Sequence, residues 1–129
     1  MRVVDASALV ELLLDTPKGH AVAEALRGEQ LTAPELVYTE VLSAMGRRVR
    51  AEMLDSATAT AAIRLLAAAP IQLVSARVLI PRFWELRERV RVTDAFYVAC
   101  AERLGCPLIT CDGRLVRAPL PGVAMLHID

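Results

Sequence analysis

The chain has 129 residues, of which 55% are hydrophobic and 23% charged, and its formal net charge is +0 at pH 7. This length suits a single domain, residues 1–129, with a substantial core. The balanced charge excludes a general attraction to polyanions. However, 14 of the 15 basic residues are arginine, which suits bidentate phosphate contacts.

Cysteine and histidine are too few and too scattered for a zinc site or a disulfide framework. Cys100, Cys106 and Cys111 are an odd number without CxxC spacing, and His20 and His127 lie far from them in the sequence. Free thiols are typical of a reducing cytoplasm. No apolar stretch reaches the roughly 18 residues of a membrane span. We therefore expect a cytoplasmic protein without a membrane segment.

Short apolar segments alternate with amphipathic ones along the whole chain. The apolar segments predict five strands, at residues 2–4, 31–34, 71–76, 106–111 and 123–128. The amphipathic segments predict helices at residues 7–15, 17–28, 35–49, 55–69, 78–90 and 93–105. Nearly continuous apolar strands separated by helices indicate an α/β fold in which a mainly parallel sheet is covered on both faces.

Residues that commonly start or stop helices sharpen these boundaries. Asp55 is a predicted N-cap, and Pro81 predicts the start of the fifth helix. Thr93 or Asp94 is predicted to cap the sixth helix, and Gly105 to end it.

Three aspartates are predicted to share one edge of this sheet. Asp5 and Asp112 each follow an apolar strand, and ligand sites in open parallel sheets lie at the carboxyl ends of strands. Asp94 opens the helix that leads into the fourth strand. That helix of about 11 residues spans roughly 17 Å, and the strand of about 5 residues returns roughly 16 Å, so Asp94 comes back beside Asp112.

Glu40 is the fourth acid, because it interrupts the inward face of its helix. Val37, Val41 and Ala44 form that face, where glutamate is unusual. The helix follows the second strand and therefore starts at the same edge of the sheet. Helical side chains tilt toward the N-terminus, so Glu40 is predicted to point at the other three acids.

Each acid also has a simpler interpretation. Asp5 and Asp94 are suitable helix caps, and Asp112 before Gly113 is typical of a turn. Glu40 is a candidate partner for a buried arginine. Four independent coincidences would be needed to place all of them at one edge. Clustered carboxylates repel one another without a cation, and oxygen ligands select Mg²⁺ or Mn²⁺, ions that promote phosphodiester hydrolysis.

The segments "VVDASAL", "APELVYTEVLSAM" and "TDAFYVACAERLGCPLITCD" occur in an order that resembles the PIN-domain nucleases, and most closely the VapC-type toxins of bacterial toxin–antitoxin pairs. The resemblance covers essentially the whole chain. It implies a PIN-like three-layer fold, a Mg²⁺- or Mn²⁺-dependent endoribonuclease that acts as the toxin of a type II pair, a homodimer and a small cognate antitoxin. It also implies that the acidic quartet of the family corresponds to Asp5, Glu40, Asp94 and Asp112.

The same resemblance assigns supporting roles to Ser7 and Thr110, which are expected to hydrogen-bond the carboxylates or the water around the metal. A local turn or cap bond is the alternative role for both. Two positions depart from the family pattern. Many members have tyrosine where this chain has Thr93, and some have a further acid near Arg114 and Leu115. The second departure favours one metal ion over two.

Two arginine clusters are candidates for RNA contact. Arg47, Arg48 and Arg50 end the Glu40 helix, where they are placed either to hold phosphates or to cap the helix. The second cluster surrounds Phe83 and Trp84 and is typical of a solvated helix face. It consists of Arg82, Arg87, Arg89 and Arg91.

Three other functions also suit acids at the edge of a parallel sheet. A phosphoacceptor receiver domain requires a lysine at the acidic edge, and the only lysine, Lys18, lies in the second predicted helix. A haloacid-dehalogenase-like phosphatase requires a second aspartate where this chain has Ser7. A catalytically silent PIN module that binds RNA or a partner protein remains the alternative.

Overall fold

The computed structural model of the protein describes residues 1–118, 120 and 122–129. Within these residues the chain forms five strands and seven helices. The strands are β1 (Arg2–Val4), β2 (Leu31–Pro34), β3 (Gln72–Val74), β4 (Leu108–Thr110) and β5 (Met125–His127). The helices are α1 (Ala6–Leu13), α2 (Pro17–Ala25), α3 (Val37–Arg50), α4 (Ser56–Ala68), α5 (Ala76–Leu86), α6 (Val92–Leu104) and α7 (Gly113–Val116).

The five strands form one sheet in the order β3-β2-β1-β4-β5, and every neighbouring pair is parallel. Successive side chains of a strand point to opposite faces of the sheet. Val3 and Val4 are both fully buried, as are Leu108 and Ile109, so helices cover both faces at the centre. The predicted three-layer α/β fold is confirmed, and the sheet is entirely parallel within the described residues.

The strand order creates a crevice between β1 and β4. The chain builds outward from β1 to β2 and β3 on one side, and β4 and β5 lie on the other side. Connections that leave in opposite directions from neighbouring strands open a crevice at the carboxyl edge of the sheet, where ligands bind in this class of fold. Asp5 and Asp112 follow these two strands and stand on either side of the crevice.

Three predicted boundaries are wrong. The fifth helix begins at Ala76 rather than near Pro81, because Ser75 caps it by accepting a hydrogen bond from the Arg77 N–H at 3.2 Å. Pro81 therefore lies inside the helix. The α3 helix begins at Val37, because the N–H of Glu35 still bonds the neighbouring strand through Val74 O at 3.1 Å.

The third correction concerns the sixth helix, α6, which neither Thr93 nor Asp94 caps. Arg91 is its N-cap residue through its extended backbone, and Asp94 is the third residue of the helix. Gly105 ends it in the left-handed conformation with φ 61°, as predicted. Asp55 is likewise a confirmed N-cap, since its carboxylate accepts from the Thr58 N–H at 2.8 Å.

No helix among the described residues is both long enough and apolar enough to cross a membrane.

Candidate active site

A cavity of about 500 Å³ opens at the carboxyl edge of the sheet, and all four predicted acids line it. They come from four separate parts of the chain: Asp5 after β1, Glu40 in α3, Asp94 in α6 and Asp112 after β4. The remaining charged side chains of its lining are Glu11, Lys18, Arg47, Arg48, Arg91 and Arg114. The cavity therefore has acidic groups at its base and cationic groups around them.

Asp5 is the most deeply buried of the acids, with 3% of its surface exposed. Its Oδ1 accepts from the Ser7 hydroxyl at 2.6 Å and from the Ala8 N–H at 3.0 Å, and its Oδ2 accepts from the Thr110 hydroxyl. Burial raises the pKa of this carboxyl above its usual value, and these three hydrogen bonds oppose the shift. Asp5 thus caps α1 and faces the cavity at the same time.

Ser7 and Thr110 both hydrogen-bond the Asp5 carboxylate and also contact the chain that follows β4. The Ser7 hydroxyl also accepts from the Cys111 N–H at 3.0 Å, and the Thr110 hydroxyl accepts from the Asp112 N–H at 2.9 Å. The two hydroxyl oxygens lie 3.4 Å apart. Because each hydroxyl both donates and accepts, the rotamer of Asp5 is tied to the backbone that leads from β4 to Asp112.

Asp112 is the N-cap of the short helix α7, not the first residue of a simple turn. Its Oδ1 accepts from the Arg114 N–H at 2.9 Å, and Arg114 also approaches both of its carboxylate oxygens at 3.3 Å. Partial burial raises the pKa of this carboxyl, but the Arg114 contacts and the charge of Arg91 outweigh burial and hold the pKa below its usual value. Asp112 is therefore ionised at neutral pH.

Arg91 joins two of the acids. Its Nε donates to Asp94 Oδ2 at 2.9 Å, and its Nη2 donates to Asp112 Oδ2 at 2.8 Å. Asp94 itself is 8% exposed. Sequence reasoning missed this role, because Arg91 was grouped with the arginines of the preceding helix.

Glu40 faces the cavity from α3 beside Tyr97 of α6. Its Oε1 and the Tyr97 hydroxyl are both buried, and neither has a hydrogen-bond partner among the described residues. Burial, followed by the neighbouring Glu40 carboxylate, raises the pKa of Tyr97, so its hydroxyl stays protonated. Sequence reasoning also missed Tyr97, whose position in an apolar helix is typical of a core residue.

The donor set of the cavity fits a hard divalent cation. Burial raises the pKa of the Cys111 thiol to about 11, so it is neutral at pH 7 and the available anionic ligands are oxygens. A buried carboxylate oxygen without a partner, such as Glu40 Oε1, is costly, and a cation would satisfy it. In the present rotamers, no three acidic, histidine or cysteine side chains of the described chain converge into a finished metal site.

The three arginines at the end of α3 do not share one location. Arg47 and Arg48 line the acidic cavity, whereas Arg50 lines a separate groove between α3 and α4. Arg48 lies 3.4 Å from Glu11 Oε1, and Arg47 donates to Ser43 at 2.7 Å. In the second cluster, Arg87 stacks over the Trp84 ring at 4.3 Å, away from the cavity lining.

The chain is similar to known proteins in sequence and in fold. The PIN domain family model matches residues 2–120. Ribonuclease VapC12 of Mycobacterium tuberculosis is 41% identical over 118 residues, which cover 92% of each chain. The crystal structure of PAE2754 from Pyrobaculum aerophilum superimposes with a TM-score of 0.70 at 24% identity, covering 96% of this chain and 82% of that one.

A toxin–antitoxin complex from Klebsiella pneumoniae has a TM-score of 0.67 at 18% identity, with 96% of both chains covered. At that identity the likeness concerns the fold. The family model and the VapC12 match extend over nearly the whole chain, and so the chain belongs to the PIN-domain family, among its VapC-type members.

Proposed function

We propose that the protein is a metal-dependent endoribonuclease and the toxin of a type II toxin–antitoxin pair. The observation that carries the proposal is that Asp5, Glu40, Asp94 and Asp112 all line one cavity beneath a cationic rim. The VapC relative, whose name describes a ribonuclease, supports the same conclusion. We propose Mg²⁺ as the natural ion, with Mn²⁺ as a substitute, and one ion rather than two.

The four carboxylates would hold the ion. The chemistry that such an ion supplies is activation of water for attack and neutralisation of charge on the phosphate during in-line displacement. The chain itself provides the rigid support: Ser7 and Thr110 fix the Asp5 carboxylate, and the start of α6 places Asp94. The Tyr97 hydroxyl stays protonated and lies buried beside Glu40 without a hydrogen-bond partner among the described residues. These side chains orient the proposed ligands.

The cationic rim would bind the RNA backbone. Arg47 is exposed and Arg48 is half-buried, and both line the cavity. We propose that they contact phosphates on either side of the cleaved bond. Glutamine at either position should weaken RNA binding and reduce the slope of log affinity against log salt by about 1. Arg50 lies in the other groove, so Arg50→Gln is the matched control.

Cleavage of a structured RNA tests the catalytic assignment. The wild-type chain should cut with Mg²⁺ or Mn²⁺ and stop in EDTA. Asp94→Asn should cut at least about 10²-fold more slowly, the typical cost of losing one preorganised electrostatic group. Asp15→Asn is the control, because Asp15 is an exposed aspartate outside the cavity lining whose carboxylate hydrogen-bonds His20. Metal-independent cleavage, or undiminished cleavage by Asp94→Asn, would refute the assignment, and RNA binding without any cleavage would indicate the silent module.

We also propose a small cognate antitoxin and a homodimer. Large apolar side chains are exposed on α5 and at the start of α6, among them Ile80, Trp84 and Val92. Exposed apolar surface of this kind favours a protein contact. The similarity in fold to a chain of a toxin–antitoxin complex supports the first partner. Light scattering on the isolated chain measures the homodimer, and light scattering on the chain co-expressed with its antitoxin measures the complex. A protein that is strictly monomeric, and that is not toxic when expressed alone, would contradict both proposals.

A further inference from the structure

Arg91 occupies an unusual place for a residue that precedes a helix. One guanidinium bridges two of the four acids, Asp94 on α6 and Asp112 after β4, through separate nitrogens. The Asp94 contact is local, three residues along the chain, whereas Asp112 is 21 residues away. Of the four acids, Arg114 contacts only Asp112 among the described hydrogen bonds, so Arg91 is the cation that links the Asp94 and Asp112 carboxylates.

We propose that Arg91 is an intramolecular competitor of the divalent cation, which holds Asp94 and Asp112 in the metal-free protein and must release them before metal binds. The inference rests on the proposed metal site. It assigns this chain a built-in resistance to metal loading, set by one side chain that is not itself a ligand.

The chemistry of the arginine supports competition. The planar guanidinium fork donates to two carboxylates at once and neutralises part of the charge that would otherwise attract the metal ion. It is never deprotonated at physiological pH, so pH does not relieve the competition. The Arg91 side chain is 54% exposed, and Arg91 caps α6 through its backbone conformation without a side-chain cap hydrogen bond, so the side chain has room to move away without removing the cap.

One carboxylate oxygen of each of two proposed ligands, Asp94 Oδ2 and Asp112 Oδ2, accepts a hydrogen bond from Arg91. The opposite role, in which Arg91 prearranges the two carboxylates for metal, predicts the opposite effect of its removal. The sign of the change in metal affinity therefore separates the two roles.

Isothermal titration of Mn²⁺ into the complete, metal-free chain measures that sign. Arg91→Gln should bind Mn²⁺ roughly threefold to tenfold more tightly than wild type, the range expected for removing two partly exposed ion pairs. Arg91→Lys keeps the charge but not the fork and should fall between them. Arg89→Gln removes the same charge two residues away, from a side chain without an ion pair to any described residue, and should bind as wild type does.

A measurement on the unmodified protein accompanies the titration. The Nε–H resonance of Arg91 should be protected and displaced in the metal-free state, and should move to the position of a solvated arginine as diamagnetic Mg²⁺ saturates the site. Equal or weaker Mn²⁺ binding by Arg91→Gln, or an Arg91 resonance that saturating Mg²⁺ leaves in place, would overturn the inference while the metal site stands. If neither wild type nor Arg91→Gln binds Mn²⁺, the proposed metal site itself falls and the inference with it. Binding by the variant alone would support both.

Discussion

Two buried threonines on strands that flank β1 should respond in opposite ways to the same substitution. Thr32 in β2 and Thr110 in β4 are both 0% exposed. The Thr110 hydroxyl donates to Asp5 and accepts from the Asp112 N–H at 2.9 Å. The Thr32 hydroxyl is buried and has no hydrogen-bond partner among the described residues. Valine has nearly the same shape as threonine, so each substitution removes a hydroxyl without opening a large cavity.

The magnitudes follow from those contacts. Thr110→Val removes a hydrogen bond to a charged acceptor, about 1.5–3 kcal/mol, and leaves the Asp112 N–H without its partner, about 1 kcal/mol more. Relief of the desolvated hydroxyl offsets part of this cost, so we expect a net loss of about 2 kcal/mol in the free energy of unfolding. Thr32→Val loses no hydrogen bond and replaces an unpaired hydroxyl with a methyl group. Its free energy of unfolding should be unchanged or higher by up to about 1 kcal/mol.

Urea unfolding in EDTA at pH 7 measures both free energies without any contribution from bound metal. For a chain of this size, the loss in Thr110→Val corresponds to a fall in Tm of roughly 6–10 °C. Thr110→Ser keeps the hydroxyl and separates the lost hydrogen bonds from the lost methyl contacts. If the two valine variants change the free energy of unfolding with the same sign and within about 0.5 kcal/mol of each other, the hydrogen bonds of Thr110 to Asp5 and Asp112 contribute nothing.

Three further outcomes are expected. The pKa of Asp5 in the folded protein is raised above 3.8, so the free energy of unfolding of the metal-free protein should increase as pH falls from neutral through that pKa toward 3.8. Urea unfolding across this pH range should show the increase for the wild type and not for Asp5→Asn. Glu102→Gln should lower the free energy of unfolding by about 1 kcal/mol, because Arg82 of α5 donates to both carboxylate oxygens of Glu102 in α6, at 2.6 and 3.0 Å. A loss of the same size at high salt would argue against an ionic contribution. In thermal unfolding, Gly19→Ala should lower the stability by about 1–3 kcal/mol, because its Cβ would lie 2.1 Å from a backbone oxygen of α1, whereas Gly46→Ala should be tolerated. Equal stabilities of the two variants would contradict the close approach of α1 and α2.

Much of the fold could be predicted because its signals are local. The apolar runs that became β1, β2 and β4 are short and continuous, as strands buried on both faces must be. The errors arose where a local signal had a competitor. Pro81 marks the usual first turn of a helix, but the Ser75 cap and the Glu35 carboxylate, which accepts from the Ala76 N–H at 3.0 Å, start α5 earlier.

In the candidate site, too, the features with local signals could be predicted and the others could not. Four acids were predicted from sequence to lie at one edge of the sheet. Three of them follow a strand or open a helix at that edge, and Glu40 interrupts the inward face of a helix that starts there. The unpaired Glu40 oxygen beside Tyr97 could not be foreseen, since it depends on how α3 packs relative to α6. Nor could the separation of Arg50 from Arg47, which follows from the side of α3 on which each arginine lies.

The sequence by itself determined the order of strands and helices along the chain and the carboxylates at the edge of the sheet. Those features follow from periodicity of 2.0 or 3.6 residues and from the rule that parallel strands end on one side. Only the tertiary structure decided that Arg91 leaves its arginine-rich neighbours and bridges Asp94 to Asp112. The physical reason is that the second contact joins groups 21 residues apart, whose proximity depends on the return of the chain through α6 and β4 rather than on any local pattern.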